Sequence, residues 1–116
     1  MSVKAVFTLM MYQQQGTWRL VMVQEKSGKW GPPGGSVTDR PGQSYEKVER
    51  EEWLEETHIP MVQHFVGPQL DGACSPKYKD QGIVRYTIRI PTDPTEITRF
   101  RTLPPTVNTH PDWNDI

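Results

Sequence analysis

Two stretches decide the fold: Gly28-Lys29-Trp30-Gly31-Pro32-Pro33-Gly34-Gly35-Ser36-Val37, and, after a short loop, Ser44-Tyr45-Glu46-Lys47-Val48-Glu49-Arg50-Glu51-Glu52-Trp53-Leu54-Glu55-Glu56-Thr57-His58-Ile59-Pro60. The first has turn chemistry throughout, being built from glycines and prolines. The second is the only persuasive helix in the chain. Ser44 suits its N-cap, Glu46 its first turn, and Ile59-Pro60 its stop.

The helix carries carboxylates where packing does not explain them. At about 100° per residue, Tyr45, Val48, Glu52, Glu55 and Glu56 fall in one sector of roughly 100°. An apolar stripe thus continues as an acidic one. Glu51, Glu52, Glu55 and Glu56 also lie in the last two turns, where the unpaired carbonyls make negative charge unfavourable by ~0.3–1 kcal/mol per group. Glu51/Glu55 and Glu52/Glu56 are like-charged i,i+4 pairs as well. A hard dication such as Mg²⁺ or Mn²⁺ would relieve all of this. A solvated acidic face is the bland alternative, and the glycine-rich stretch just upstream argues against it.

Outward from this centre the chain reads as strands. Val3, Ala5, Phe7, Leu9 and Met11 alternate, with Val6 and Met10 on the other face, as in a strand covered on both sides. Residues 17–24 read as a second strand with Trp18, Leu20 and Met22 on one face, pairing with the first as a hairpin. Residues 61–70 and 83–90 are further strands. The last alternates Val84, Tyr86, Ile88 and Ile90 against Arg85, Thr87 and Arg89. Residues 91–116 hold five prolines and no helical period. Together these give an α+β fold, a mixed sheet with one dominant helix.

The 116 residues suffice for one compact domain, with the proline-rich stretch as its tail. No apolar run approaches the ~20 residues of a membrane helix, and the opening segment reads as a strand rather than a signal peptide. The single cysteine, Cys74, excludes an intrachain disulfide and a Cys-based zinc site, and suggests a reducing, cytoplasmic setting. With net charge −1 and scattered basic residues, the chain lacks the basic face of a duplex nucleic-acid binder.

The same two stretches resemble the Nudix hydrolase family. Its signature is G-x5-E-x7-R-E-U-x-E-E-x-G-U, with U a bulky aliphatic residue, usually after a phrase like G-K-W-x-x-P-G-G. Residues 28–35 match that phrase almost letter for letter, and residues 51–59 occupy the R-E-U-x-E-E-x-G-U segment. The resemblance implies a Nudix-like mixed sheet with the principal helix carrying the acidic cluster. It also implies that Glu52, Glu55 and Glu56 hold Mg²⁺ or Mn²⁺ with a carbonyl of Gly34 or Gly35. Glu52 is the expected catalytic residue, as general base or ligand. The metal would neutralise a diphosphate and lower the pKa of the attacking water. Glycines at 34 and 35 would supply φ > 0 and close approach.

Substrate contacts are expected from Arg85 and Arg89, which share a strand face and suit phosphate. Trp30 reads first as a packing anchor and second as a wall of a nucleotide pocket. Asp71 and Glu96 are candidates for a further carboxylate, while Lys77, Lys79 and Asp80 fall in a long connection of the kind that sets specificity.

Four departures stand out. The loop after Gly35 holds seven residues (36–42) instead of five, Gln43 replaces the first Glu, Glu51 replaces the Arg, and His58 replaces the Gly. His tolerates the left-handed region that a helix-ending residue adopts. Arg40, in the lengthened loop, is the candidate replacement cation. Many family members close with a second helix, and nothing after Ile90 reads as one. A thin core also favours a homodimer.

The expected function is metal-dependent hydrolysis of a phosphoanhydride in a nucleoside-diphosphate-linked substrate. The alternative is a Nudix-fold nucleotide-binding module with little or no turnover, favoured by Gln43 and Glu51. An acidic interaction domain without metal would make the glycine phrase a coincidence.

Overall fold

The computed structural model describes residues 2–24, 27–61, 63–73 and 82–93. Along the chain these form β1 (Val3–Gln14), β2 (Thr17–Leu20), β3 (Val23–Gln24), β4 (Trp30–Gly31), β5 (Gly34–Ser36), α1 (Tyr45–Thr57), β6 (His64–Ala73) and β7 (Ile83–Pro91). Cys74, Lys77, Lys79, Asp80, Glu96 and most of the proline-rich tail, where many family members place a second helix and this sequence shows none, lie outside the described residues. No described helix is long and apolar enough to cross a membrane.

The sheet is mixed, as the alternation and the single helix predict. Its order is β2-β1-β7-β6, and β5 pairs with β1 as well. β1 is long enough to take two partners on one edge: antiparallel β5 beside Ala5–Phe7 and antiparallel β2 beside Met11–Gln14. On its other edge β7 runs parallel to it, and β6 is antiparallel to β7. The Gly-Gly segment is therefore a strand in the sheet, directly under α1, which packs on β1 and β5.

The β1–β7 register decides what the helix covers. Val6 faces Arg85, Thr8 faces Thr87, and Met10 faces Arg89. Because side chains alternate across a strand, this one set of residues looks toward α1. Thr8, Thr87 and Arg89 are all buried there. Apolar packing sits at the two ends: Met10, Val21, Trp53 and Ile59 at one, Val3, Val6 and Val48 at the other. The opposite face of the sheet holds Ala5 and Val84, with Phe7 stacked on Tyr86 at 5.5 Å between ring centroids.

Three expectations change. The strand over 17–24 forms the hairpin but breaks, leaving β3 to pair with β4 in a separate two-stranded sheet. Its apolar face is also inverted: Trp18 and Leu20 are 51% and 39% exposed, whereas Val21 and Val23 are 7% and 2% exposed. Val21 is held by its N–H to the Met10 carbonyl, 3.0 Å, and drops into the core beside Trp53. The third strand starts later and runs further than 61–70. Thr92 caps its approach by donating to the Gln63 carbonyl, and Pro68 is tolerated because β6 is an edge strand whose register breaks between Val66 and Gln69.

Candidate active site

The helix is pinned at both ends by local chemistry. The Ser44 hydroxyl accepts from the Lys47 N–H at 3.1 Å, capping the start. His58 ends the helix in the left-handed region at φ 61°, with its N–H on the Leu54 carbonyl at 2.9 Å. Val48, Trp53 and Thr57 anchor the buried face, and Thr57 returns its hydroxyl to the Trp53 carbonyl at 2.8 Å. These anchors fix the rotation of α1, and with it the direction of the glutamates.

Glu56 and Glu52 meet the Gly-Gly strand. The buried Glu56 accepts from the Gly34 N–H at 3.0 Å. The Glu52 carboxylate lies directly against Gly35, where a β-carbon would stand 2.5 Å from its Cδ. At Gly34 a β-carbon would stand 2.2 Å from the Val6 carbonyl oxygen, inside β1. Both positions need glycine for lack of room. Left-handed backbone is not the reason, since the positive-φ glycines of the described residues are 16, 28, 42 and 82.

The lengthened loop returns a cation to the same point. The Arg40 N–H bonds the Val37 carbonyl, the Arg40 carbonyl accepts from the Gln43 N–H, and Gly42 takes φ 79°, so the loop doubles back over the helix. The Arg40 guanidinium then donates from Nη1 to Glu51 at 2.8 Å and from Nη2 to Glu52 at 2.8 Å, with Glu55 3.5 Å from Nη2. Lys47 stands 4.0 Å from Glu51 on the solvent side. The cation that the resemblance places at 51 on the helix thus comes from the loop, with the carboxylate and the guanidinium exchanged.

As the side chains stand, no three acidic, His or Cys side chains among the described residues are arranged around a metal ion. The point on which Glu51, Glu52 and Glu55 converge belongs to Arg40. The donor set still fits a hard dication once that guanidinium withdraws. It is all oxygen, it carries more negative charge than one guanidinium offsets, and the absent Gly35 side chain leaves Glu52 room. Where the Arg40 loop rejoins the helix, the buried Gln43 Oε1 has no hydrogen-bond partner among the described residues.

The two arginines expected to meet phosphate have other engagements. Arg89 is buried and closes on Glu49, Nε to Oε2 at 2.7 Å and Nη2 to Oε1 at 2.6 Å, while its Nη1 lies 2.6 Å from His64 Nε2. Thr8 donates to the same Glu49 Oε2 at 2.6 Å. The two bonds to the Glu49 carboxylate push the Arg89 pKa above its ordinary value, against the burial that lowers it. Sequence reasoning did not single out Glu49. It falls about 60° from Glu52 on the helix, roughly 20° past the edge of the sector that holds Tyr45, Val48, Glu52, Glu55 and Glu56, so the periodicity left it out. Arg85 grips Asp71 at 2.9 and 3.1 Å and lies 5.8 Å over the Tyr45 ring.

These groups border a cavity of about 290 Å³ between the first half of α1 and strands β6 and β7, lined by Tyr45, Glu49, Gln69, Arg85 and Thr87 among others. Val6 also lines it, and its partner across the ladder is Gly35, so cavity and acidic cluster are neighbours across one strand spacing. Trp30, expected first as a packing anchor, is 48% exposed on β4 and lines neither.

No family model and no curated protein matches the sequence. Solved structures do. An Ap4A hydrolase from C. elegans is 22% identical, with TM-score 0.62 over 82% of this chain and 72% of that one. A Nudix hydrolase from M. smegmatis, RenU, is 15% identical, with TM-score 0.62 over 79% of this chain and 63% of that one. The Nudix domain of Shewanella oneidensis NrtR, solved with ADP ribose, is 15% identical, with TM-score 0.58 over 78% and 60%.

Proposed function

We propose that this chain, which has the Nudix fold, is a divalent-metal-dependent hydrolase that cleaves a phosphoanhydride in a nucleoside-diphosphate-linked compound. The observation that carries the reading is the meeting of α1 with the Gly-Gly strand. Glu52 lies on Gly35 and Glu56 on the Gly34 N–H, with Glu51 and Glu55 converging beside them. Similarity to an Ap4A hydrolase and to a domain complexed with ADP ribose supports a nucleotide-linked substrate.

Glu52, Glu55 and Glu56 would hold Mg²⁺ or Mn²⁺, with a Gly34 or Gly35 carbonyl as a further ligand. A divalent ion there supplies charge neutralisation for the diphosphate. The protein's own part is positional. Glu56 ties the helix to β5, and the Glu52 carboxylate, with its room secured by Gly35, takes the proton of the attacking water. The nucleoside fits the cavity beside Tyr45, where Arg85, held flat by two bonds to Asp71, offers a stacking plane and Gln69 and Thr87 offer hydrogen bonds. Arg89 supports this floor through Glu49. The lone cysteine suits a cytoplasmic setting.

A nucleotide-binding module with little turnover is the second reading, and the observation favouring it is Arg40 inside the acidic cluster. The test is a panel of nucleotide sugars, dinucleoside polyphosphates and nucleoside triphosphates with Mg²⁺ or Mn²⁺, reading phosphate after coupled phosphatase treatment. Hydrolysis of at least one class, lost without metal, is the expected result. Nucleotide binding without hydrolysis across the panel would leave the second reading.

A further inference from the structure

We infer that Arg40 is a loop-borne place-holder for the metal: it occupies the acidic cluster in the metal-free protein and is handed to Glu51 when a divalent ion takes Glu52 and Glu55. The inference rests on the metal reading of the same site. Its basis is the unequal way in which one guanidinium is shared. Nη1 bonds only Glu51, at 2.8 Å, whereas Nη2 stands between Glu52 at 2.8 Å and Glu55 at 3.5 Å. A cation shared by Glu52 and Glu55 needs the position of Nη2 and does not need that of Nη1.

Arg40 can give up one prong without losing the other. Its side chain is 20% exposed and Glu51 is 38% exposed, so a guanidinium swung toward Glu51 moves toward water. Glu52, at 15%, is the more enclosed partner and gains most from a replacement cation. This gives the unexpected Glu51 a use. On the helix, one turn before Glu55, it adds like charge to the cluster. As the retained partner of Arg40 it keeps the displaced cation nearby, so the 36–42 loop stays tethered while the ion is bound. Loop and helix departures from the family pattern then form a single device, in which the longer loop brings the cation and Glu51 receives it.

The test uses Mn²⁺ alone, its free concentration read by electron paramagnetic resonance, on the full chain and on R40Q, R40K, E51Q and R40Q/E51Q. Removing the competitor in R40Q should tighten Mn²⁺ by at least about tenfold, the scale of coupling between adjacent, partly exposed charges. R40K keeps the charge but cannot present two separated N–H prongs, so its affinity should fall between the two. E51Q should weaken Mn²⁺ in the Arg40 background, where the receiver is lost, and much less in the R40Q background. Circular dichroism on each variant establishes that it is folded, and R40K serves should R40Q not fold. Affinity unchanged or weaker in R40Q and R40K would overturn the inference while leaving the metal reading intact, provided E56Q abolishes binding. An E51Q effect of equal size in both backgrounds would make Glu51 an ordinary ligand or charge, and would overturn the hand-over. No Mn²⁺ binding by any variant would sink the metal reading and this inference together.

Discussion

Glu49 and Arg89 face each other with two parallel hydrogen bonds, 2.6 and 2.7 Å, each side chain only 4% exposed. They join the first half of α1 to the closing residues of β7, and Thr8 of β1 completes the carboxylate's shell. Such a pair contributes little relative to an apolar replacement, yet breaking it strands a buried charge at about 3–5 kcal/mol. Arg89→Met should therefore lower the urea-unfolding free energy by that order. Glu49→Met/Arg89→Met together should lose much less than the sum of the singles. Additive losses would mean that the two side chains do not act as a pair.

Gly34 and Gly35 should respond differently to alanine. A β-carbon at 34 would lie 2.2 Å from backbone of β1, which has nowhere to go, so Gly34→Ala should cost stability of roughly 1–3 kcal/mol or more. At 35 the obstacle is the end of the Glu52 side chain, which can swing aside. Gly35→Ala should leave the melting temperature nearly unchanged while weakening Mn²⁺ binding and turnover. Equal stability losses at the two positions would contradict this division.

Glu52→Gln keeps the shape of the side chain and removes its charge. If the carboxylate takes the proton of the attacking water, turnover should fall by roughly 10²-fold or more, with KM little changed. A loss of Mn²⁺ affinity large enough to account for the whole fall in turnover would make Glu52 a ligand alone, and unaltered turnover would show that the acidic stripe is not the reaction site.

The helix was legible because its determinants are local. Ser44, His58, Trp53 and the acidic spacing each act within one or two turns, so sequence places both caps and the direction of Glu52, Glu55 and Glu56. The burial of Arg89 was not legible. Its strand alternates cleanly, and the apolar side of β7 is the natural inward choice. Which side α1 covers is decided by a parallel ladder to β1 some eighty residues earlier, with Glu49 placed to take the guanidinium and Thr8 donating to that same carboxylate. The inversion of Trp18 and Leu20 has the same origin, since a strand at the sheet edge has its inner face chosen by what packs beside it. Arg40 lies between these cases. Its loop is visibly too long, but only the two turns around Val37 and Gly42 aim it.

Asp71 is held below the usual carboxylate range by the two hydrogen bonds from Arg85. A depressed carboxylate stabilises the fold above its unfolded pKa and loses that contribution as pH falls through the lower, folded value. The effect on stability should be small because the pair is exposed. It should be visible, however, in a carbon-detected NMR titration of the Asp71 carboxyl, with a midpoint below the usual aspartate range that returns toward it in Arg85→Gln. An unchanged midpoint in that variant would deny the pairing that keeps Arg85 flat beside the cavity.

His58 offers the sharpest separation of backbone from side-chain effects. It ends α1 at φ 61°, a region that costs a residue with a β-carbon about 1–2 kcal/mol and glycine almost nothing. The cap's own hydrogen bond, His58 N–H to the Leu54 carbonyl, belongs to the backbone and survives substitution. His58→Gly should therefore stabilise the protein by about 1 kcal/mol, which for a domain of this size raises Tm by roughly 4–8 °C. His58→Ala keeps the β-carbon and should gain nothing. If the imbibed strain is the dominant effect, the order of stability is Gly above His, with Ala no better than His. If the imidazole's own contacts dominate, Gly and Ala should both fall below His by similar amounts, and the backbone account of this helix end would be wrong. Thermal unfolding of the three proteins at one pH decides between the two orders.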